Sequence, residues 1–219
     1  MNVEAEGPLS DNDNSYGIEM SKNRLAQLQR PKKSFLGKLL VAAPGMPVGS
    51  PFNRAVILVL QDSEEGVFGV VLNRPASPEM LMAWQKVAGK PTFAAEKLVA
   101  GGPVQGPVLA IHRQQELAEL EIHGGLFVSV QQEAIEQLSQ MEFFEEDVAF
   151  RIVLGAVSWD AGQLENEIDN GVWFVVDSEP DSAFSDMETL WQRSVRRYGE
   201  ESVRELAGIR NFPPNPLLN

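Results

Sequence analysis

The apolar positions of this chain gather into short, β-branched runs separated by Gly, Pro and Asp, with stretches of helical spacing between them. Residues 35–43, FLGKLLVAA, predict a first strand, which Pro44, Pro47 and Pro51 end because proline cannot donate to a ladder. The run 55–60, AVILVL, has no polar interruption and predicts a central strand buried on both faces. Residues 62–66 form a turn, with Gly66 free to take positive φ, and 67–72 return as the second arm of an antiparallel hairpin. Asn73-Arg74-Pro75 ends the pairing. A helix follows, with Ser77 as cap, Pro78 in the first position, Glu79 at the positive end of the dipole and Gly89 as its stop. Its apolar face is Met80, Leu81, Trp84 and Val87. Residues 97–100 and 108–112 predict strands on either side of the corner Gly101-Gly102-Pro103; an acidic loop, a strand at 126–130 and a helix at 133–141 come next. The final helix, 186–198, opens on the box Ser185 to Glu188, carries Met187, Leu190, Trp191, Val195 and Tyr198 as one stripe, and ends at Gly199.

The most densely organised stretch is 155–174, GAVSWDAGQLENEIDNGVWF. Apolar runs at 148–157 and 172–176 read as strands, and 162–170 between them has helical spacing, with Leu164 and Ile168 on one face. Gly171 suits a left-handed cap. Gln163, Glu167 and Asn170 share a polar flank, with Glu165 and Asp169 displaced round the helix.

Strands outnumber helices and the helices are interspersed, which predicts an α+β domain with a mixed, mainly antiparallel, curved sheet and helices packed against it. A doubly wound parallel sheet is the alternative. Residues 1–33 read as a tail with a short helix at 18–30, an arm that Pro31 stops; 34–207 form one domain, and 208–219 a Pro-rich tail.

Charge changes this picture more by its placement than by its total of −13. Residues 114–192 hold eighteen Asp and Glu against one basic residue, Arg151, a surface that repels phosphate backbones. The basic residues cluster near the ends, with Arg193, Arg196 and Arg197 on the last helix. The chain has no Cys, which removes disulfides and thiolate chemistry. No apolar run reaches the roughly 18 residues a membrane span needs, and the N-terminus lacks a secretory pattern, so the expected compartment is the cytoplasm.

Four blocks carry a resemblance: LGKLLVAAPGM at 36–46, EEGVFGVVLNRP at 64–75, GGPV at 101–104 and GQLENEIDNGVW at 162–173. Together, in this order and spacing over residues 35–199, the chain resembles the YqgE/AlgH family. The resemblance implies an α+β fold and a cytoplasmic bacterial protein of a group often labelled transcriptional regulators. It transfers a pattern and no catalytic or binding residue. The chain departs from the family pattern at Gln61 and Asp62, at Gly49-Ser50, and at Ala156 and Ser158.

Candidate chemistry is sparse. His112 and His123 are the only histidines, no G-x-S-x-G elbow presents a serine, and both read as structural. Asp160, Glu165, Glu167 and Asp169 offer oxygen ligands for Mg²⁺, but Glu165 and Glu167 point about 200° apart on a helix. GGPVQG at 101–106 lacks the Lys and Ser/Thr of a phosphate loop. Asn73 and Arg74 are more interesting, because an Arg at the end of a buried strand can hold a carboxylate or phosphate; pairing with an acid of the same domain, such as Glu167, is the preferred reading. Trp159 and Trp173 bracket the central helix as core aromatics. The candidate ligand or partner site is therefore Asn73, Arg74, Trp159, Gln163, Glu165 and Glu167, with no cofactor, metal or catalytic residue assigned. The reading is a non-enzymatic binding or regulatory protein acting through protein partners, with neither membrane nor direct nucleic-acid binding expected. The alternatives are a DNA-associated transcriptional regulator, and an enzyme or small-ligand binder with a site near Arg74 and the 162–170 helix. Homo-oligomerisation through sheet edges or the arm stays open.

Overall fold

The run 55–60 became the middle of a sheet. In the computed structural model, which describes residues 34–88, 95–144 and 148–208, strand β2 (Val56–Ser63) is the third of five strands. Its neighbours are β1 (Lys38–Ala42) and β3 (Gly66–Val71), and the edges are β10 (Trp173–Asp177) beside β1 and β9 (Val157–Asp160) beside β3. All four pairings are antiparallel. The β2–β3 hairpin forms as expected, with a bulge between Val59 and Gln61.

A second sheet has the order β4, β8, β5, β7, β6. Its strands are β4 (Leu98–Ala100), β5 (Leu109–His112), β6 (Leu120–His123), β7 (Leu126–Ser129) and β8 (Phe150–Leu154). Only β4 and β8 run parallel. The fold is α+β and mainly antiparallel, with its strands divided between two sheets. The division is made at Gly155, which with φ 79° breaks the 148–157 run into β8 in one sheet and β9 in the other. Gly101 and Gly102 fit the same crossing: a Cβ on Gly102 would lie 2.2 Å from Ala156 O, and one on Gly101 2.3 Å from Gly155 O. Val104 and Ala156 are bridged there through paired backbone hydrogen bonds. The glycines of GGPV thus let two backbones touch where the chain changes sheets.

The pleat of β2 serves two cores. Val56, Leu58 and Leu60 face the second sheet, meeting Leu109, Ile111, Leu126 and Val153. Ile57 and Val59 face the opposite way, into a cluster with Trp159, Leu164 and Trp173. A third cluster lies on the far side of the second sheet, where Ala110 and Ile152 meet Trp84 of helix α1 (Pro78–Ala88) and Ile135 and Leu138 of α2 (Gln132–Phe144). Ser77 accepts the Met80 amide at 3.3 Å, as its capping role requires. Trp84 is buried while Met80 and Leu81 are half-buried, and the Gly89 stop and the side chain of Val87 lie outside the described residues.

Helix α3 (Gln163–Asp169) links the two edge strands β9 and β10, so the 155–174 stretch straps one face of the first sheet from edge to edge. Gly171 has the expected left-handed φ, 71°. Helix α4 (Met187–Ala207) packs on β10 and β1: Tyr198 stacks on Phe174 at 4.2 Å, and Trp191 Nε1 donates to Ala42 O at 2.8 Å. Two expectations change here. The cap is Asp186, whose carboxylate accepts the Thr189 amide at 2.9 Å, one residue later than the Ser185 box. The helix also runs through Gly199 to Ala207, because Gly199 is exposed and an exposed helical glycine costs only about 1 kcal/mol. His123, expected in a loop, lies in β6 and hydrogen-bonds Ser178. The expected arm and the C-terminal tail from 209 onward lie outside the described residues.

Candidate functional site

The six candidate residues form two separate groups. The first begins with Trp159 on β9 and Trp173 on β10, brought together across the sheet by the α3 strap; their rings meet edge to face at 6.0 Å. Both indoles are buried and both need a hydrogen-bond acceptor. Glu167 provides it: its Oε2 accepts Trp159 Nε1 at 2.9 Å and Trp173 Nε1 at 2.7 Å, while Oε1 accepts the Gln163 amide at 2.9 Å. Gln163 returns through its own carbonyl to the Asp160 amide at 3.1 Å. The helical step of four predicted from the sequence therefore serves an internal network. Glu165 is half-buried on the same helix and is not among the acceptors of either indole.

The second group fixes a loop. Asn73 is 7% exposed; its Oδ1 accepts the Val56 amide at 2.9 Å and its Nδ2 donates to Arg54 O at 2.8 Å. Arg74 donates to Asn53 O, and Asn53 in turn donates to Met46 O at 2.8 Å. The Asn-Arg-Pro segment thereby clamps the proline-rich 44–55 loop to the end of β3. Arg54 is held with φ 57°, its guanidinium 5.3 Å from the centre of the Trp191 ring. The preferred pairing of Arg74 with Glu167 is not formed: Glu167 is taken by the two indoles and Gln163, and Arg74 by a backbone carbonyl. Phe52 of the clamped loop does reach the first group, edge to face with Trp173 at 5.9 Å.

Three further polar groups are built into the interior. His112 is fully buried on β5, with Nε2 3.0 Å from Ser129 Oγ, and burial holds its pKa below the ordinary histidine value. Asp62, one of the departures from the family pattern, accepts the Phe35 amide at 2.8 Å and so closes the start of the domain onto the hairpin. Arg151, 7% exposed, is the lone base of the acidic region 114–192. Its guanidinium donates to Leu72 O at 2.9 Å and Ser185 O at 2.5 Å, joining β8 to the end of β3 and the entrance of α4. Burial lowers its pKa and the neighbouring Asp186 carboxylate opposes that shift. A base inside the apolar strand FRIVL is the signal that could have found it. Among the described residues, no group of three His, Asp or Glu side chains is placed to hold a metal ion, and no helix is long and apolar enough to cross a membrane.

Comparison with known proteins agrees with this architecture. The model of the AlgH-like family matches residues 39–203. A UPF0301 protein of Streptomyces coelicolor is 35% identical over 200 residues, covering 85% of this chain and 96% of its own. One from Chlorobium phaeobacteroides is 34% identical over 187 residues, covering 84% and 95%. Among solved structures, the AlgH protein of Pseudomonas aeruginosa superposes with a TM-score of 0.60 at 23% identity, over 84% of this chain and 99% of that one. Protein DIP2367 of Corynebacterium diphtheriae gives 0.56 at 23% identity, over 89% and 95%. Those two likenesses speak to the fold, and the sequence matches speak to descent: this chain belongs to the AlgH-like family.

Proposed function

We propose that this is a non-enzymatic binding or regulatory protein of the cytoplasm that acts through a protein partner. One observation carries the reading: among the described residues, Glu167, His112 and Arg151 are directed at other side chains and at the backbone of the interior. Glu167 is saturated by two indoles and an amide, His112 is buried against Ser129, and Arg151 is held by two carbonyls. A general base has to reach a substrate proton, and these groups are turned inward. The DNA-associated reading is weaker on the same geometry. Arg197 on α4 is bound to Glu179 and Glu201, each at 2.9 Å, which breaks the basic face a phosphate backbone would need.

The test is to incubate the purified full chain with metabolite extract and, separately, to isolate its complexes from lysate by affinity chromatography. Expected are an unchanged metabolite profile by mass spectrometry and a stoichiometric protein complex. Consumption of a metabolite, abolished by E167Q, would overturn the proposal.

A further inference from the structure

The polar groups of α4 are arranged differently from those of α3. Between α4 and the turn at Pro180–Phe184 lies a cavity of about 400 Å³, a volume suited to a small organic ligand. Its floor is apolar: Leu39 of β1, Val176 of β10 and Leu190 of α4 line it, and none is more than 3% exposed. Ser194 also lines the cavity. It is 6% exposed, and its hydroxyl has no hydrogen-bond partner among the described residues. A hydroxyl that lines a cavity with no partner among the described residues can donate to something that enters.

Charge on the rim points to the same class of occupant. Of the acids there, Glu179 is neutralised by Arg197 at 2.9 Å and Asp181 by Arg113 at 2.5 Å. Arg193 and Arg196, one helical turn apart, form no ion pair among the described residues. Asp186 contributes some negative potential at Arg193, but its carboxylate is committed to capping Thr189. Glu200 is the remaining rim acid. Two guanidinium groups that form no ion pair among the described residues, set against Glu200 and the nearby Asp186 and lying beside apolar lining residues, offer donors to a negative group carried on an apolar body.

We infer that this groove binds a small carboxylate with an apolar tail, its carboxylate held by Arg193 and Arg196 with Ser194 as a further donor, and its tail on Leu39, Val176 and Leu190. The site is independent of the protein-partner reading and would hold whether or not a partner is found.

The test uses the full chain and three probes: hexanoate, its neutral analogue hexanamide, and inorganic phosphate. Amide chemical shifts in ¹H–¹⁵N spectra are followed through each titration. Hexanoate should give saturable shifts centred on 182, 190 and 194, with hexanamide and phosphate each at least tenfold weaker. The double variant R193A/R196A should keep the dispersed spectrum of the native fold and weaken hexanoate at least tenfold. S194V, which removes only the hydroxyl at similar volume, should weaken it several-fold. R193Q and R196Q, made singly, provide the same comparison should the double variant unfold. The assignment is overturned if hexanoate gives no saturable response, if its shifts map elsewhere, or if the arginine variants bind it as well as the native chain. Phosphate binding as tightly as hexanoate would also overturn it, because the apolar floor would then contribute nothing.

Discussion

The strap around Glu167 and the groove beside α4 use similar materials to opposite ends. Each puts polar side chains of one helix beside a buried apolar surface formed partly by β10. At Glu167 the polar groups answer one another: three donors converge on one carboxylate, and the indoles that donate are themselves core. At α4, Ser194 and two guanidinium groups line a cavity with no hydrogen-bond or ion-pair partner among the described residues. The difference teaches that a cluster of chemistry-bearing residues is a site only when some of its hydrogen-bonding capacity is left over. In the strap that capacity is used for cohesion, and in the groove it is available.

That contrast can be broken by mutation, and the closed groups should show the largest effects. R151A removes two charge-assisted bonds to carbonyls, that of Leu72 buried and that of Ser185 part-buried, and leaves a hole beside them, and should cost about 3–5 kcal/mol in denaturant unfolding. Retention of native stability would mean that those carbonyls find water instead. E167A leaves both buried indole donors without their acceptor and should cost about 2–4 kcal/mol, lowering Tm by several degrees. E167Q, which keeps one acceptor oxygen, should cost less than E167A.

A smaller effect is expected from pH. His112 has a folded-state pKa below its ordinary 6.5, because burial disfavours the charged ring. The unfolded chain therefore binds the proton more readily, so stability is fully present above about 6.5 and declines as pH falls below it, levelling off under the folded-state value. Unfolding free energy measured between pH 7.5 and 5 should show this slope, and H112N should flatten it. Smallest of all, R193A/R196A should shift stability by less than about 0.5 kcal/mol, since both side chains are exposed and neither forms an ion pair among the described residues. A large loss there would make the groove arginines structural and erase the comparison.

Where the sequence was legible, local chemistry and tertiary position agreed. The uninterrupted AVILVL run lay at the centre of its sheet, Gly66 opened the hairpin and Gly171 took the left-handed cap. The readings that moved were those settled by distant partners. An apolar run such as 148–157 looks continuous, and only the close backbone approach of Gly101 and Gly102 shows why it must break at Gly155. Strand β6 escaped notice because it is an edge strand, with Leu120 and Glu121 exposed and little alternation to read. The Glu167 network follows the same logic. Its spacing to Gln163 is visible as a helical step of four, but its acceptance of both indoles depends on β9 and β10 lying at opposite edges with a strap between them. Opposite charge alone favoured Arg74 as the partner, and the two indole donors took that place.

The pairing of β1 with β10 has a consequence for how the chain is made. Lys38 and Asp177, ion-paired across that ladder, are 139 residues apart in sequence. On the ribosome, the first strand of the domain therefore waits on the order of ten seconds for its edge partner to be synthesised. The β2–β3 hairpin can close beside it meanwhile, but the apolar row Leu39, Val41, Val56 and Leu58 has neither the second sheet nor α4 to cover it until nearly the whole domain has emerged. Such a nascent chain is a natural client for chaperones, and its refolding in isolation should be slow and sensitive to protein concentration.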